Sequence, residues 1–268
     1  MNRIWILVAI ILAVIVSWMS RSLKNDLSIY HTADWWNPES SFSILHRMNK
    51  IRVPYFVRHL NRTEGPKKFI DIGCGGGLVT EAIASQSNLT VNITGYDISQ
   101  ASLDKAIEHG SGIPGLNYQY GSMYAIPLSD SSVDGVIVSD ILEHLETVPV
   151  ALDEIFRVLK PGGVVVFDTI ARTNWSWLTT YFVAQELLGI VHPGAHDWRL
   201  FINPEELEVM LTQAGFKTDK SEWLGICAEI SPMNAWNKQS MYQLIESFYE
   251  DKNDLSSSYM GYAIKPPL

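Results

Sequence analysis

The chain has 268 residues, which is enough for one α/β domain with additions, and two domains are also compatible with this length. Its formal net charge of −9 excludes the broad basic surface typical of nucleic-acid-binding proteins. The two cysteines, Cys74 and Cys227, provide no disulfide framework, which suits a reducing compartment.

The first segment has the pattern of a membrane anchor. Ile4–Met19 is apolar apart from Ser17, and as a helix it would span about 24 Å of a hydrocarbon core that is about 30 Å thick. A cleaved signal peptide has a similar outline, but no typical cleavage site follows. We therefore predict an uncleaved single-pass anchor over residues 1–22. Positive charges in excess after the span put the remaining chain on the cytoplasmic side, or on the matrix or stromal side of an organelle.

Residues 23–66 form the next predicted unit, a linker followed by a helical lid. The stretch Pro38–Leu60 has helical periodicity and a basic side. A helix before the first strand could cover a cofactor, and the competing interpretation is a solvated helix that only covers the edge of the sheet.

The centre of the chain is a strand, a glycine-rich turn and a helix. Phe69–Ile72 is a short apolar run typical of a buried strand, and Leu78–Ala84 has helical periodicity. The glycines between them allow a sharp turn and would let a ligand lie against bare main chain. Strand, glycine turn and helix together indicate the start of a βαβ unit.

The same alternation continues and predicts a Rossmann-like α/β domain over residues 67–268. Its sheet should be mostly parallel, with helices on both faces and an antiparallel last strand. Further strands are predicted at Val91–Tyr96, Tyr118–Tyr120, Val133–Val138, Val164–Phe167, Phe216–Leu224 and Ser258–Ile264, and helices at Ser99–His109, Val148–Leu159 and Pro204–Ala214.

The spacing of the glycines points to a particular nucleoside cofactor. Asp71 is followed by Gly73, Gly75 and Gly77, and Asp97 ends the second strand. Position 78 is leucine and no Walker lysine is present, so neither a dinucleotide nor a triphosphate is the expected ligand. The pattern resembles motif I of class I methyltransferases that use S-adenosylmethionine (SAM), which implies a ribose contact for Asp97.

A second constellation follows the fourth strand. If a helix starts there, Asp140, Glu143 and His144 share one face, and two carboxylates with an imidazole could hold a divalent metal such as magnesium. The alternative is structural, because Asp140 and Glu143 also have the spacing of a helix capping box.

Residues 172–203 form an insert with an aromatic, apolar stretch at Trp175–Ile190. An amphipathic insert beside the cleft could contact a bilayer and admit an apolar substrate, and a lid helix buried on the domain is the alternative. His196 follows the stretch and is a candidate catalytic base, as is His144, although His196 could instead hold the turn.

Several patches together resemble the polyprenyl-dihydroxybenzoate and demethylubiquinol O-methyltransferases of ubiquinone biosynthesis, from about Trp35 to Lys265. The more specific patches are Trp35 and Trp36 with His46, Arg47, Asn49 and Arg52, and His196 and Asp197 with Phe201, Ile202, Pro204, Glu206 and Leu207. Others are Leu142, Glu143 and His144, Leu159–Gly163, Asn174 with Ser176, Trp177 and Leu178, and Tyr259 with Met260.

The resemblance implies a membrane-associated O-methyltransferase for a lipophilic catechol or hydroquinol, with partners in quinone biosynthesis and membrane lipid, and no nucleic acid. It implies that Arg52 meets the SAM carboxylate, and that Asp140, which replaces a glutamate, joins Glu143 and His144 as metal ligands. The predicted cofactor-binding residues are Arg52, Asp71, Gly73, Gly75, Gly77, Asp97, Ser122, Met123 and Ser139. The alternatives are methylation of another apolar small molecule, or a membrane-tethered SAM-binding assembly factor without catalysis.

Overall fold

A computed structural model describes residues 27–62, 67–86, 91–230 and 245–267. The predicted anchor, residues 1–22, lies outside these ranges. Among the described residues, no helix has the length and apolar character needed to cross a membrane.

The described chain forms one eight-stranded sheet with helices packed against it. Its strands are β1 (Lys67–Ile72), β2 (Val91–Asp97), β3 (Leu116–Tyr120), β4 (Val133–Ser139), β5 (Leu159–Ile170), β6 (Leu224–Ile230), β7 (Ile245–Asp251) and β8 (Ser258–Ile264). Its main helices are α1 (Ser43–Leu60), α2 (Leu78–Ala84), α3 (Gln100–His109), α4 (Val148–Val158) and α5 (Pro204–Gln213).

The strand order is β3-β2-β1-β4-β5-β8-β6-β7. The first five strands of this order pair in parallel, whereas β8 is antiparallel to both β5 and β6, and β7 is antiparallel to β6. The predicted mostly parallel sheet with an antiparallel last strand is therefore confirmed. The order reverses between β1 and β4, and such a switch point opens a crevice at the carboxyl ends of the strands.

Both faces of the central strands are buried, which explains their continuous apolar runs. On β1, Ile70 and Ile72 belong to a core cluster on one face, whereas Phe69 belongs to the cluster on the other. The first cluster includes the buried sides of α4 and α5, and the second includes those of α1 and α2. The sheet therefore holds the loops at its carboxyl edge between two packed layers.

Two strand predictions near the C-terminus need correction. The predicted strand Phe216–Leu224 is wrong, because Lys220–Glu222 forms a 3₁₀ turn capped by Asp219 and the strand begins only at Leu224. Strand β7 was not predicted. Its exposed and half-buried positions do not alternate cleanly, so the period that identifies a half-buried strand is weak there.

Candidate active site

A cavity of about 650 Å³ opens at the carboxyl edge of the sheet. Its volume falls within the range of small-molecule sites in proteins. The structure brings nearly all of the predicted site residues to its walls, and Gly77 and Glu143 are the exceptions. The predicted residues that line it are Arg52, Asp71, Gly73, Gly75, Asp97, Ser122, Met123, Ser139, Asp140, His144 and His196.

The glycine turn is tied to the end of β2. Gly73 and Gly75 have positive φ angles of 78° and 54°, which glycine adopts without the steric cost of a Cβ atom. The Gly73 N–H donates to the carbonyl of Tyr96 over 2.7 Å, and the Gly75 N–H donates to Asp97 Oδ2 over 2.8 Å. The Asp97 carboxylate thus orders the loop as well as facing the cavity.

Side chains, rather than open space, lie against several of these glycines. A Cβ atom at Gly75 would lie 2.5 Å from the indole of Trp35, and one at Gly76 would overlap the same side chain. Trp36 donates its indole N–H to the carbonyl of Gly76 over 3.0 Å. The bare main chain at Gly75 and Gly76 therefore accommodates Trp35, and the contact of a ligand with this turn stays a prediction.

The cover of the cavity begins before the predicted helical lid. Tyr30, in the turn Leu27–His31, stacks on Trp35 with ring centroids 5.9 Å apart, and both residues line the cavity. The Tyr30 hydroxyl lies 3.4 Å from His144 Nε2. Helix α1 contributes Arg52 and apolar residues to the same walls. The lid interpretation of this region is thus consistent with the structure, and it extends to residues upstream of the helix.

Asp71 lies beneath the glycine turn at the end of β1. Its side chain is fully buried and accepts a hydrogen bond from Thr80 Oγ1 over 2.6 Å. Burial raises the pKa of Asp71 to about 7, although the Thr80 bond opposes this shift. Asp71 therefore ties the strand to the first turn of α2 from inside the domain.

Arg52 is the centre of a buried charged network that links α1 to β4 and β5. Its guanidinium Nη1 donates to Asp140 and, over 3.1 Å, to Asp168 Oδ2, while Nε donates to Asn49. Ser139 Oγ donates to Asp168 Oδ1 over 2.5 Å. The predicted contact of Arg52 with the SAM carboxylate stays a prediction, with two aspartates already engaging the same side chain.

Asp168 is a site residue that the sequence analysis missed. It follows an apolar run on β5 and is 1% exposed, and nothing in the local pattern separates it from a surface residue at a strand end. Burial raises its pKa to about 8, and the neighbouring Asp140 charge adds to this effect. At Asp140, burial alone would raise the pKa. The charge of Arg52 and its hydrogen bond outweigh burial and hold the pKa of Asp140 below its usual value.

The helix predicted to start at Asp140 is wrong. Only a 3₁₀ turn, Leu142–His144, forms there, and Asp140 has a left-handed backbone with φ of 50°. The Asp140 carboxylate turns to Arg52 and does not share a face with Glu143 and His144. Among the described residues, the structure instead groups Glu143 and His144 with His196, their candidate ligand atoms all lying within 4.8 Å of one another.

These three side chains form a buried cluster beside the cofactor residues. The imidazole rings of His144 and His196 are stacked with centroids 5.1 Å apart. Burial lowers the pKa of His144 to about 4 and that of His196 to about 3, so both rings are neutral near pH 7. Burial raises the pKa of Glu143 well above its usual range, with the Asp140 charge adding to the shift.

Neighbouring groups hold this cluster in position. Thr169 Oγ1 donates to Glu143 Oε2 over 2.7 Å, and the His196 backbone N–H donates to the side-chain oxygen of Gln185 over 2.9 Å. Glu143 Oε1 and His196 Nδ1 are buried without a hydrogen-bond partner among the described residues. Orphaned buried polar atoms are rare, and here they are compatible with a bound cation or a polar substrate.

The insert contributes both a wall and an exposed apolar surface. It forms the short helix Asn174–Ser176 and a π-helix, Trp177–Leu187. Trp175 is 55% exposed and also lines the cavity, and Leu187 is 64% exposed. The insert therefore contributes both to the cavity walls and to an exposed apolar surface.

The fold and the site define a class I SAM-dependent methyltransferase. The family model "Methyltransferase domain" matches residues 70–167. A SAM-dependent methyltransferase from Aquifex aeolicus has the same fold, with a TM-score of 0.55 at 14% identity, covering 86% of this chain and 99% of that one.

The particular family follows from sequence relatives. A ubiquinone biosynthesis O-methyltransferase from Alkalilimnicola ehrlichii is 34% identical, over 65% of this chain and 70% of its own length. The mitochondrial protein of that name from Mus musculus is 32% identical over 75% of this chain, and the match spans 56% of the mouse protein. The chain belongs to the ubiquinone biosynthesis O-methyltransferase family and is a SAM-dependent O-methyltransferase, which sets aside the non-catalytic alternative.

Proposed function

We propose that this protein transfers the methyl group of SAM to a phenolic oxygen of a lipophilic catechol or hydroquinol in ubiquinone biosynthesis, at a membrane. The observation that carries the proposal is that one continuous cavity contains both groups of predicted site residues. It joins the glycine turn and Asp97 to His144 and His196, and it continues between apolar walls to the protein surface. A cofactor, a base and an apolar acceptor site are thus continuous.

The acceptor must lose a proton before or during transfer. A phenol has a pKa of about 10, so it is mostly protonated at pH 7. His144 and His196 both line the cavity as neutral imidazoles and are the candidate proton acceptors, His196 being held through its backbone by Gln185. Because their pKa values are low, either ring would take the proton only as the phenolate charge forms beside it and raises its pKa. The phenolate oxygen then attacks the sulfonium methyl group, and positioning in the closed cavity lowers the entropic part of the barrier.

A divalent metal is an additional proposal for the same cluster. Glu143, His144 and His196 offer one carboxylate and two imidazoles, and the orphaned Glu143 Oε1 and His196 Nδ1 fit the ligand positions of a cation. Magnesium was expected from two carboxylates, but the observed donor set suits zinc or iron better. A metal there would supply stabilisation of the phenolate.

Association with a membrane is supported by two features of different kinds. Residues 1–22 have the composition of an anchor. The insert exposes Trp175, Leu178, Phe182 and Leu187 beside the cavity. An apolar acceptor dissolved in a bilayer would reach the histidines through this region without crossing water.

The decisive experiment incubates the detergent-solubilised full chain with methyl-labelled SAM and a panel of acceptors. Short-chain polyprenyl catechols and hydroquinols should be labelled on oxygen, whereas matched polyprenyl carboxylates and amines should not. Labelling of a carboxylate or an amine instead would favour the alternative of another apolar substrate, and labelling of no catechol would overturn the proposal.

The metal and the anchor are tested in the same assay. Wild type treated with a chelator and Glu143→Gln should both lose activity, and added zinc or iron should restore only the chelated wild type. Full activity in chelated wild type would reject the metal and leave the histidines as the base. Deletion of residues 1–22 should reduce sedimentation with membranes while SAM affinity stays unchanged, and unchanged sedimentation would reject the anchor.

A further inference from the structure

One part of the cavity wall combines apolar side chains of helix α1 with apolar side chains of the hairpin of β6 and β7, and this part is called the apolar arm. On the hairpin these side chains are Ile226, Ala228, Ile230, Ile245 and Phe248. Apart from Arg52 at the inner end, no charged side chain of α1 or of the described part of the hairpin lines the cavity.

The strand period explains why β6 presents this surface. Ile226, Ala228 and Ile230 are two residues apart and therefore lie on one face of the strand. Cys227 and Glu229 alternate with them and are absent from the walls of the cavity. The three lining residues extend over about 13 Å of strand.

Exposure increases along the same face. Ile226 is 2% exposed, whereas Ile230 is 63% exposed. Phe248 lies between these extremes and pairs with Ala228 across the hairpin. The arm therefore includes both buried and exposed side chains, and the small Ala228 is paired with Phe248 at a position between Ile226 and Ile230.

Helix α1 and the hairpin are bonded to each other on this side of the domain. Arg47 of α1 donates to the carbonyl of Ile245 and to Ser43 Oγ, and Leu45 and Phe248 pack in the same cluster as Met48 and Ile226. The walls of the arm are thus held by main-chain and apolar contacts, which provides a preformed site for an extended apolar group.

We propose that this arm is the channel for the isoprenoid tail of the acceptor, and that Ala228 and Phe248 determine which tail it takes. The inference rests on the proposed function, since it requires an acceptor whose phenolic head lies at His144 and His196. The arm is continuous with that site, it is apolar along its length, and it ends at the surface. A long tail can therefore leave the cavity while its first isoprene units remain out of water.

The test is the variant Ala228→Leu, which adds bulk to the channel face, with Cys227→Leu on the opposite face of the same strand as the matched control. The two are compared on a prenylated catechol and on catechol without a tail. Ala228→Leu should raise KM for the prenylated acceptor about tenfold and leave KM for the tail-less one unchanged, because a mismatch of a few methyl groups in an apolar site has this magnitude. Cys227→Leu should change neither.

Phe248→Ala provides the converse variant. It removes wall contacts and should also raise KM for the prenylated acceptor alone, with kcat little changed. If Ala228→Leu and Phe248→Ala leave both KM values unchanged, or change both equally, the tail does not occupy this arm. A tail that leaves past the insert would give the first of these results.

A binding measurement separates this inference from the proposed function. Farnesol, which has a tail but no phenol, should bind the wild-type protein in calorimetry and bind several-fold more weakly to Ala228→Leu than to Cys227→Leu. If no catechol is methylated but farnesol follows this pattern, the proposed function fails and the channel stands. Equal farnesol affinity in both variants would overturn the channel.

Discussion

The glycine turn at the cofactor end and the proposed acceptor end of the cavity are built in different ways. The glycine turn lies between Asp71 and Asp97, and across two adjacent strands the Gly73 N–H donates to the Tyr96 carbonyl and the Gly75 N–H donates to the Asp97 carboxylate. The acceptor end collects Glu143 and His144 from the turn after β4 and His196 from the insert, and it takes its walls from α1 and the hairpin. One end is therefore a local motif, and the other exists only after the whole chain has folded.

The two ends also differ in charge. At the cofactor end the Asp97 carboxylate accepts main-chain hydrogen bonds from Gly75 and Ser99, which lower its pKa against the larger opposing effect of burial. At the acceptor end, burial keeps His144 and His196 neutral and raises the pKa of Glu143. Main-chain donors therefore hold the Asp97 carboxylate at the cofactor end, whereas the neutral rings at the acceptor end suit proton transfer or a cation.

The largest effect on activity is expected at His196, because its substitution would disrupt the acceptor end and leave the cofactor end intact. His196→Ala should lower kcat about a hundredfold to ten-thousandfold, the usual contribution of a positioned base. Its affinity for S-adenosylhomocysteine, measured by calorimetry, should change less than about twofold, since no main-chain bond of the cofactor loop involves it. The control is His192→Ala in the same loop, whose exposed ring also lines the cavity and donates to the adjacent carbonyl of Pro193.

Wild-type kcat in His196→Ala would remove His196 from the chemistry and leave His144 as the candidate base. An equal loss in His192→Ala would mean that the turn, and not the imidazole, matters. Both outcomes would contradict a proton-accepting role for His196.

Asp97 is expected to show the next largest effect, confined to the cofactor end. Asp97→Ala removes the acceptor of the Gly75 N–H and the predicted partner of the ribose hydroxyls. Each hydrogen bond to a charged group is worth about 1.5–3 kcal/mol, so SAM affinity should fall at least tenfold. Asp97→Asn retains one acceptor oxygen and should lose less.

Calorimetry with S-adenosylhomocysteine measures this effect without requiring turnover. Wild-type affinity in Asp97→Ala would reject the ribose assignment. A large loss of thermal stability together with the affinity would instead indicate that Asp97 acts mainly through the loop it orders.

The smallest functional effect is expected at Asp71. Its contribution is instead tested through the pH dependence of stability. The carboxyl titrates near pH 7 in the folded chain, against a reference value of 3.8. Between these values the folded chain retains a proton that the unfolded chain has released. The free energy of unfolding should therefore fall as pH rises from about 4 to about 7, by at most about 1.4 kcal/mol per pH unit, and this contribution should be constant above pH 7.

Asp71→Asn should remove this pH dependence while keeping a side chain of the same size. Urea unfolding at pH 4.5 and pH 7.5 would show a smaller difference in the variant than in the wild type, and the two proteins should be most similar at the lower pH. Equal pH dependence in both proteins would contradict a protonated Asp71 in the folded state.

The difference between the two ends of the cavity also explains how much of the site could be predicted from the sequence. The turn from Asp71 to Gly77 and its partner Asp97 were recognisable because a strand period, glycine spacing and a second strand end are all local patterns. Of the residues predicted as a ligand set, the structure brings Glu143 and His144 together with His196, and it does not group Asp140 with them. Spacing suggested a shared helical face, but the buried charge of Arg52 attracts Asp140 and the backbone enters a left-handed turn.

The sequence by itself determined the order of strands and helices in the core, the class of cofactor and the family, because these depend on short-range periodicity and on motifs. Only the tertiary structure decided that Trp35 covers the glycine turn, that Asp168 shares Arg52, and that His196 joins Glu143 and His144. These contacts join residues from 40 positions apart (Trp35 and Gly75) to 116 positions apart (Arg52 and Asp168), so they depend on the packing of separate elements around the sheet. The role of a buried charge or of a buried polar atom without a partner depends on its neighbours, and only this packing determines those neighbours.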